Sequence, residues 1–301
     1  MLTTADLTFF ATIARTPSLA AAARVLDVTP SAVTQRLQEL ERRVGVRLLE
    51  RRGRRPTLTA EGELLATRGQ AIGDELEALA EALAQRRGVV AGHLRVLAPF
   101  GFGRRYIAPV AAAFCRAHPD ITLDLALSES VARVPDHSWD VAVHIGGEPH
   151  HSLRAEQLAP NARWLVASPA YVAQHGAPET PDALRSARCI ALRENDEDVT
   201  LWRFTDGAGR TTQVRVRPAL ASNDGDVVRE WALAGEGVIV RSEWSVHDDV
   251  AAGRLVRLLP DFALPAADVV AFVGARRGRS ARTTAFVARL RDAFQRVPWR
   301  T

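Results

Sequence analysis

The first sixty residues hold the pattern that most restricts the fold: three short helical segments, each with its own start and stop signals, followed by a basic two-stranded ribbon. Leu7, Phe10, Ala11 and Ala14 recur at the spacing of one helix face, and Pro17 ends that helix. Ser18 stands where an N-cap belongs, ahead of the alanine-rich stretch Leu19 to Leu26. Asp27-Val28 reads as a tight turn. Thr29 then caps again, with Pro30 at the first helical position, where its missing N–H costs nothing. In the third helix Val33, Leu37, Leu40 and Val44 make an apolar face. Ser31, Thr34, Gln35, Gln38 and Arg42 make the opposite one, small and uncharged at its start, which suits a helix entering a DNA major groove. After Gly45, the segments Leu48–Glu50 and Thr57–Thr59 flank Arg51-Arg52-Gly53-Arg54-Arg55-Pro56, a ribbon with a basic tip. Three short helices and a basic ribbon are the parts expected of a small nucleic-acid module over residues 1–58.

Charge supports that reading. Residues 1–60 contain ten arginines and five acidic residues, an excess of five positive charges, against a net charge of +4 for all 301 residues. The basic surplus lies at one end, the footprint of a nucleic-acid module joined to something near neutral. Thr59 opens a long helix to about Arg87, in which Leu65, Ile72, Leu76, Leu79 and Leu83 form a heptad-like seam. A lone helix with one narrow apolar stripe needs a partner, and a second copy of the chain is the simplest one. Residues 59–91 thus read as linker helix and hinge.

From about residue 92 strands alternate with helices. Strands are expected at His93–Ala98, Ile121–Leu127, Val141–Ile145, Trp164–Ala167, Cys189–Leu192, Val214–Arg217, Val238–Val240, Leu255–Leu258 and Val269–Val273. Helices such as Ile107–His118, Asp226–Ala234 and Thr283–Phe294 separate them. The alternation predicts α/β architecture with parallel sheets. The start of the chain lacks the basic and apolar regions of a secretory signal, and no run approaches the ~18 apolar residues of a membrane span; a cytoplasmic protein without a membrane partner is expected. Cys115 and Cys189 read as buried structural thiols, since two cysteines make no disulfide framework and both sit in apolar stretches. Nucleophile elbow, phosphate loop and metal-ligand spacing are all missing, so an enzyme is not expected. His150-His151 lacks a spaced third ligand, Asn195 to Asp198 reads as a solvated loop, and His144 as a packed core residue. No metal or cofactor is expected.

Several runs carry a family likeness. Phe9 to Ala14, Ser18 to Ala23, Val28 to Leu37, Leu40-Glu41, Gly45 to Arg51 and Leu58 to Gly62 closely resemble the N-terminal domain of LysR-type transcriptional regulators. The likeness continues through Asp140 to Gly146, Ala167 to Tyr171, Ala234 to Val238 and Gly253 to Val256, and so covers nearly the whole chain. It implies a multidomain α+β and α/β fold: the winged helix-turn-helix, the linker helix, and over residues 92–301 a periplasmic-binding-protein-like sensor. Its subdomain I would be 92–159 with 268–301, and its subdomain II 160–267. It also implies a DNA-binding regulator modulated by a small-molecule effector between the subdomains, with dimers paired into tetramers and RNA polymerase as a further partner. DNA contacts are expected at Pro30, Ser31, Ala32, Thr34, Gln35 and Gln38, and along the ribbon at Arg51, Arg52, Arg54 and Arg55. At Gln35 the chain departs from many relatives, which carry arginine. Two recognition helices in a dimer imply an operator with an inverted repeat. Ligands of open α/β sheets bind at the carboxyl ends of strands. That rule nominates Pro99, Phe100, Gly101, Phe102, Ser128, Gly146, Arg193 and Asn223. Phe100 and Phe102 would form an apolar wall, while backbone N–H groups near Gly101 and Gly103, with Arg193, Arg104 or Arg105, would favour an organic anion.

Overall fold

The computed structural model describes residues 2–52, 55–85, 90–128, 139–146, 154–193, 199–273 and 280–300. The chain forms two compact units, Met1–Arg87 and Gly88–Thr301.

In the first unit the caps expected at Ser18 and Thr29 are in place, and the first helix has a further one. Helix α1 (Thr4–Arg15) is capped by Thr3 in a reciprocal capping box with Asp6. Ser18 caps α2 (Leu19–Val25), accepting from the Ala21 N–H. Thr29 caps α3 (Pro30–Val44), and Gly45 ends it in the left-handed conformation (φ 76°) that a residue without Cβ adopts at little cost. The faces fall as their periodicity requires: Phe9, Phe10, Ile13, Ala22, Ala23, Val33, Leu37 and Leu40 form one buried core with Leu48. Strands β1 (Leu49–Arg52) and β2 (Arg55–Leu58) pair antiparallel, Leu49 opposite Leu58 and Arg52 opposite Arg55. Helix α4 (Ala60–Gln85) follows, and Thr59 closes its first turn by accepting from the Gly62 N–H. A Cβ at Gly62 would run into the Leu48 carbonyl oxygen, so only glycine allows this helix to lie so close to the ribbon. Leu65, expected in the exposed seam, instead packs against the core of the first unit. The exposed stripe is Ile72, Leu76, Leu79 and Leu83, together with Leu64.

The second unit contains two five-stranded sheets among its described residues, ordered β4-β3-β5-β14-β6 and β11-β8-β12-β7-β13. The first uses β3 (Gly92–Ala98), β4 (Ile121–Leu127), β5 (Val141–Ile145), β6 (Arg154–Ala159) and β14 (Val269–Val273). The second uses β7 (Arg163–Ala167), β8 (Cys189–Leu192), β11 (Pro218–Ser222), β12 (Val238–Ser242) and β13 (Val256–Leu258). The expectation of parallel sheets needs correction, because both are mixed. Strand β14 runs antiparallel to β5 and β6, and β7 antiparallel to β12 and β13. The cause is topological. The chain passes from β6 directly into β7 and returns through residues 259–268 into β14. A strand that arrives from the crossover starts where its neighbours end, and so runs against them.

Strands β6, β9 (Leu201–Thr205) and β11 were not foreseen. The strand expected at Val214–Arg217 is instead β10 (Thr211–Arg215), paired with β9 in a separate hairpin that buries Trp202, Phe204 and Val214. The helix expected from Ile107 begins earlier, as a short turn α5 (Phe100–Phe102), a π-turn (Gly103–Ile107) and α6 (Ala108–Ala117). The other α-helices among the described residues are α7 (Pro169–His175), α8 (Gly225–Leu233), α9 (Glu243–Ala251) and α10 (Ala281–Phe294).

The crossover is densely bonded. The Asn161 side chain donates to the Ala267 carbonyl (2.7 Å), and its backbone N–H donates to Asp268 Oδ1 (3.1 Å). The Trp244 N–H donates to Asn161 Oδ1 (3.3 Å). Beside it Glu243, almost wholly buried, accepts two bonds from Arg300, at 2.8 and 2.6 Å. Trp244 belongs by sequence to the second sheet, yet its ring lies in the core of the first, among Phe102, Tyr106, Phe294 and Trp299. Aromatic rings that meet edge-on bury large areas and resist sliding, so this cluster ties the two halves together beside the crossover.

Candidate functional site: a DNA-reading helix and a sensor cleft

The outward face of α3 is built by its own hydrogen bonds. Pro30, Ser31, Gln35 and Gln38 are exposed, and Ala32 and Thr34 are half-buried. Thr29 Oγ1 accepts from the Ala32 N–H (3.3 Å) and lies 3.0 Å from Ser31 Oγ. Thr34 donates its hydroxyl to the Pro30 carbonyl (3.0 Å). The two glutamine amides are therefore the long polar groups of this face, and an amide pairs bidentately with an adenine edge.

Two of the three arginines of α3, Arg36 and Arg43, serve the fold instead. Arg36 donates to the Ala5 carbonyl (2.9 Å) and lies over the Phe9 ring at 4.4 Å. Arg42 pairs with Glu39. Arg43 donates to Asp6 Oδ1 at 2.7 Å and, with the Thr3 bonds, holds that carboxyl well below the usual carboxylate range despite its burial. The other basic candidates belong to the ribbon. Arg51, Arg52 and Arg55 lie on its paired strands, whereas Arg54 is outside the described residues. Glu41 fixes where the ribbon begins by accepting from the N–H groups of Leu48 (2.7 Å) and Leu49 (3.2 Å).

In the second unit the candidate effector residues gather at strand ends, as the alternation requires. Pro99 follows β3 and precedes α5, where Phe100 is half-buried. Ser128 follows β4, its N–H donating to the Ala98 carbonyl (3.0 Å). Gly146 follows β5 at φ 71°, its N–H on the Asp268 carbonyl (3.1 Å). Arg193 follows β8, with its N–H on the Ser222 carbonyl (2.8 Å) and its side chain exposed. Asn223 is exposed ahead of α8, whose first N–H groups face Asp224 Oδ1 (2.8 Å from the Asp226 N). Gly101 brings the halves together: a Cβ there would lie 3.1 Å from Trp244 Cη2 and 3.3 Å from Asp226 Oδ1.

Three expectations about this site change. Phe102 is no wall of a pocket, since it is fully buried in the aromatic cluster. The Gly103 N–H cannot hold a carboxylate, because it donates to the Pro99 carbonyl at 2.7 Å within the helix. Arg104 and Arg105 are not idle charges either. Arg104 pairs with Asp226 and Arg105 with Asp248, both across to the second subdomain. These pairs, with Asn161, Glu243 and Trp244, are what sequence reasoning missed. Their partners are more than fifty residues away, and no local pattern announces them.

Cys115 and Cys189 are both free. They lie in α6 and β8, and burial pushes the Cys189 thiol up to about 12. His144 is buried beside Phe272. His150, His151 and Asn195 to Asp198 lie outside the described residues. No helix among the described residues is long and apolar enough to cross a membrane.

Comparison with known proteins agrees with this arrangement. Residues 4–63 match the family described as bacterial regulatory helix-turn-helix protein, lysR family, and residues 87–295 match the LysR substrate binding domain. The chain is 35% identical to the HTH-type transcriptional regulator DmlR of Escherichia coli strain K12, over 96% of this chain and 94% of that protein. It is 31% identical to the HTH-type transcriptional activator TtdR of the same strain, over 86% of this chain and 83% of that one. Its fold resembles that of CrgA, a LysR-type transcriptional regulator from Neisseria meningitidis. The TM-score is 0.61 at 27% identity, covering 98% of this chain and 99% of that one. These relatives regulate transcription and are not enzymes. An N-terminal helix-turn-helix and a C-terminal substrate-binding domain, matched over nearly the full length, place the chain in the LysR family of DNA-binding transcriptional regulators with an effector-binding domain.

Proposed function

We propose that this regulator works in the cytoplasm as a homodimer, paired further into a tetramer, on an imperfect inverted repeat in double-stranded DNA. A small organic anion bound between the sensor subdomains sets its activity. Residues 1–58 are the DNA-binding module, 59–91 the linker helix and hinge, and 92–301 the sensor. Pro30, Ser31, Ala32, Thr34, Gln35 and Gln38 face the major groove, and Arg51, Arg52, Arg54 and Arg55 supply the salt-dependent attraction to phosphates. Pro99, Phe100, Gly101, Ser128, Gly146, Arg193 and Asn223 line the effector site, with Phe102 holding Phe100 and Gly101 from behind. RNA polymerase is the further partner; one relative carries the name of a transcriptional activator.

The observation that carries this reading is the outward face of α3, whose core side is fully packed while Ser31, Gln35 and Gln38 stand in solvent. Nuclease protection over the promoters beside the gene should reveal two half-sites about one helical turn apart. Phe100→Asp should abolish the response to the cognate effector and leave basal operator binding nearly intact. Protection without any repeat, or a normal response from Phe100→Asp, would contradict the corresponding half of the proposal.

A further inference from the structure

Arg104 and Arg105 are neighbours in the π-turn, an irregularity that often marks functional positions in helices. Both reach the second subdomain, but in different settings. Arg105 meets Asp248 of α9 and lies 5.3 Å from the Tyr106 ring centroid, while Asp248 has His247 Nδ1 at 3.3 Å on its other side. Arg104 meets Asp226 in the first turn of α8, with Asp224 Oδ2 at 3.9 Å. This second pair stands beside the candidate effector residues, since Asp226 Oδ1 would be only 3.3 Å from a Cβ on Gly101. Arg104, three residues beyond Gly101 along the chain, is thus occupied by a carboxylate of the protein itself.

That pairing is built to be exchanged. The side chains of Arg104 and Asp226 are 49% and 47% exposed, so water screens their attraction and can reach both. Asp226 is the second residue of α8, where the free N–H groups and the helix dipole favour negative charge even without an arginine. Arg104 has no such alternative on its own helix and offers a planar fork that fits any carboxylate bidentately.

We propose that Asp226 holds the place of the effector's carboxylate. A small organic carboxylate with an apolar body against Phe100 takes Arg104 from Asp226, and the exchange releases the contact joining the π-turn to α8. Arg105–Asp248 and the aromatic cluster then remain as the pivot. An anion that binds only the released arrangement shifts the balance between the two by its differential affinity. This inference rests on the effector site lying at the strand ends, and it adds the ligand's chemical class and the way its binding is transmitted.

The test is a thermal-shift and calorimetric titration of the full-length protein with acetate, benzoate and succinate, and with benzamide as a neutral control. Circular dichroism serves as the check of folding. Asp226→Asn removes the nearer competing carboxylate and should tighten binding of at least one of the three anions by about fivefold or more. Arg104→Gln should weaken the same anion by about tenfold, with Arg104→Lys intermediate, because the ammonium keeps the charge but not the fork. Asp248→Asn, which touches only the pivot, should leave anion affinity unchanged, and benzamide should not distinguish the variants. Equal affinity in wild type, Asp226→Asn and Arg104→Gln would overturn the exchange, as would failure of Asp226→Asn to bind any of the three. Phe100→Asp separates the two layers. Binding lost in Phe100→Asp but indifferent to Arg104→Gln refutes only the exchange, whereas binding indifferent to both refutes the site.

Discussion

Replacing Arg300 by alanine strands the Glu243 carboxylate beside the crossover. In the native protein the Glu243 side chain is only 6% exposed and receives two bonds from Arg300, whose own side chain is 42% exposed. A third bond, at 3.3 Å, comes from the Ala162 N–H. Burial by itself would raise the Glu243 pKa, but the arginine and the Ala162 N–H outweigh it and hold the carboxyl below its ordinary value. Breaking a fully buried pair costs ~3–5 kcal/mol, and an exposed pair contributes ~0–1 kcal/mol. With one partner buried and the other near half-exposed, screening places the loss at about 2 kcal/mol. In a unit of roughly 150–250 residues that lowers the midpoint of thermal unfolding by about 4–8 °C. The sign of the pH dependence follows from the depressed folded pKa. The stabilisation is fully present above the unfolded carboxyl value of ~4.3 and is lost as pH falls through the lower folded value. In Arg300→Ala the burial goes largely unopposed and the folded pKa rises, so the deficit should be greatest near neutrality and shrink toward about pH 4. Adding Glu243→Gln to Arg300→Ala should recover part of it. Differential scanning calorimetry of the four proteins across this pH range gives the coupling energy directly. A deficit that does not change with pH, or a double variant as unstable as the sum of the singles, would refute the reasoning.

Two predictions concern DNA binding and assembly. Gln35→Ala should cost ~1–3 kcal/mol on the operator and relax base preference at one position, whereas Arg52→Ala should weaken binding to all sequences and reduce the salt slope by about one; titrations on operator and random DNA at several salt concentrations separate the two. Leu76→Glu with Leu83→Glu puts charge into the exposed stripe of α4, and sedimentation should show loss of the dimer together with steeply weaker operator binding; a double variant that stays dimeric means the stripe is not the interface.

The first unit was legible because its determinants are local. Caps at Ser18 and Thr29, proline at Pro30, the stop at Gly45 and the apolar spacing of Val33, Leu37 and Leu40 each act within a few residues. Every one of them is found in place. Even there, Leu65 has the same spacing as the exposed leucines of α4. Only the proximity of the first-unit core decides that it is buried while Leu76 and Leu83 are not. Spacing shows that a residue lies on a face, and not what lies opposite.

In the second unit several strand ends, and with them the positions of Pro99, Phe100, Ser128, Gly146 and Arg193, could be read from the alternation of strands and helices, and that of Asn223 from the helix that follows it. Strand direction could not, because whether β7 and β14 run with or against their neighbours depends on where the chain crosses between sheets. Nor could the fate of Phe102, Arg104 and Arg105. Side by side in sequence with Phe100, they look like lining and charge for a pocket. Folding puts Phe102 among Trp244, Phe294 and Trp299, and sets the two arginines against Asp226 and Asp248. Local chemistry determined which segments form, where they begin and which face is polar. Tertiary structure decided which charges are already spoken for, since an ion pair depends on distance in space and its partners here are more than a hundred residues apart along the chain.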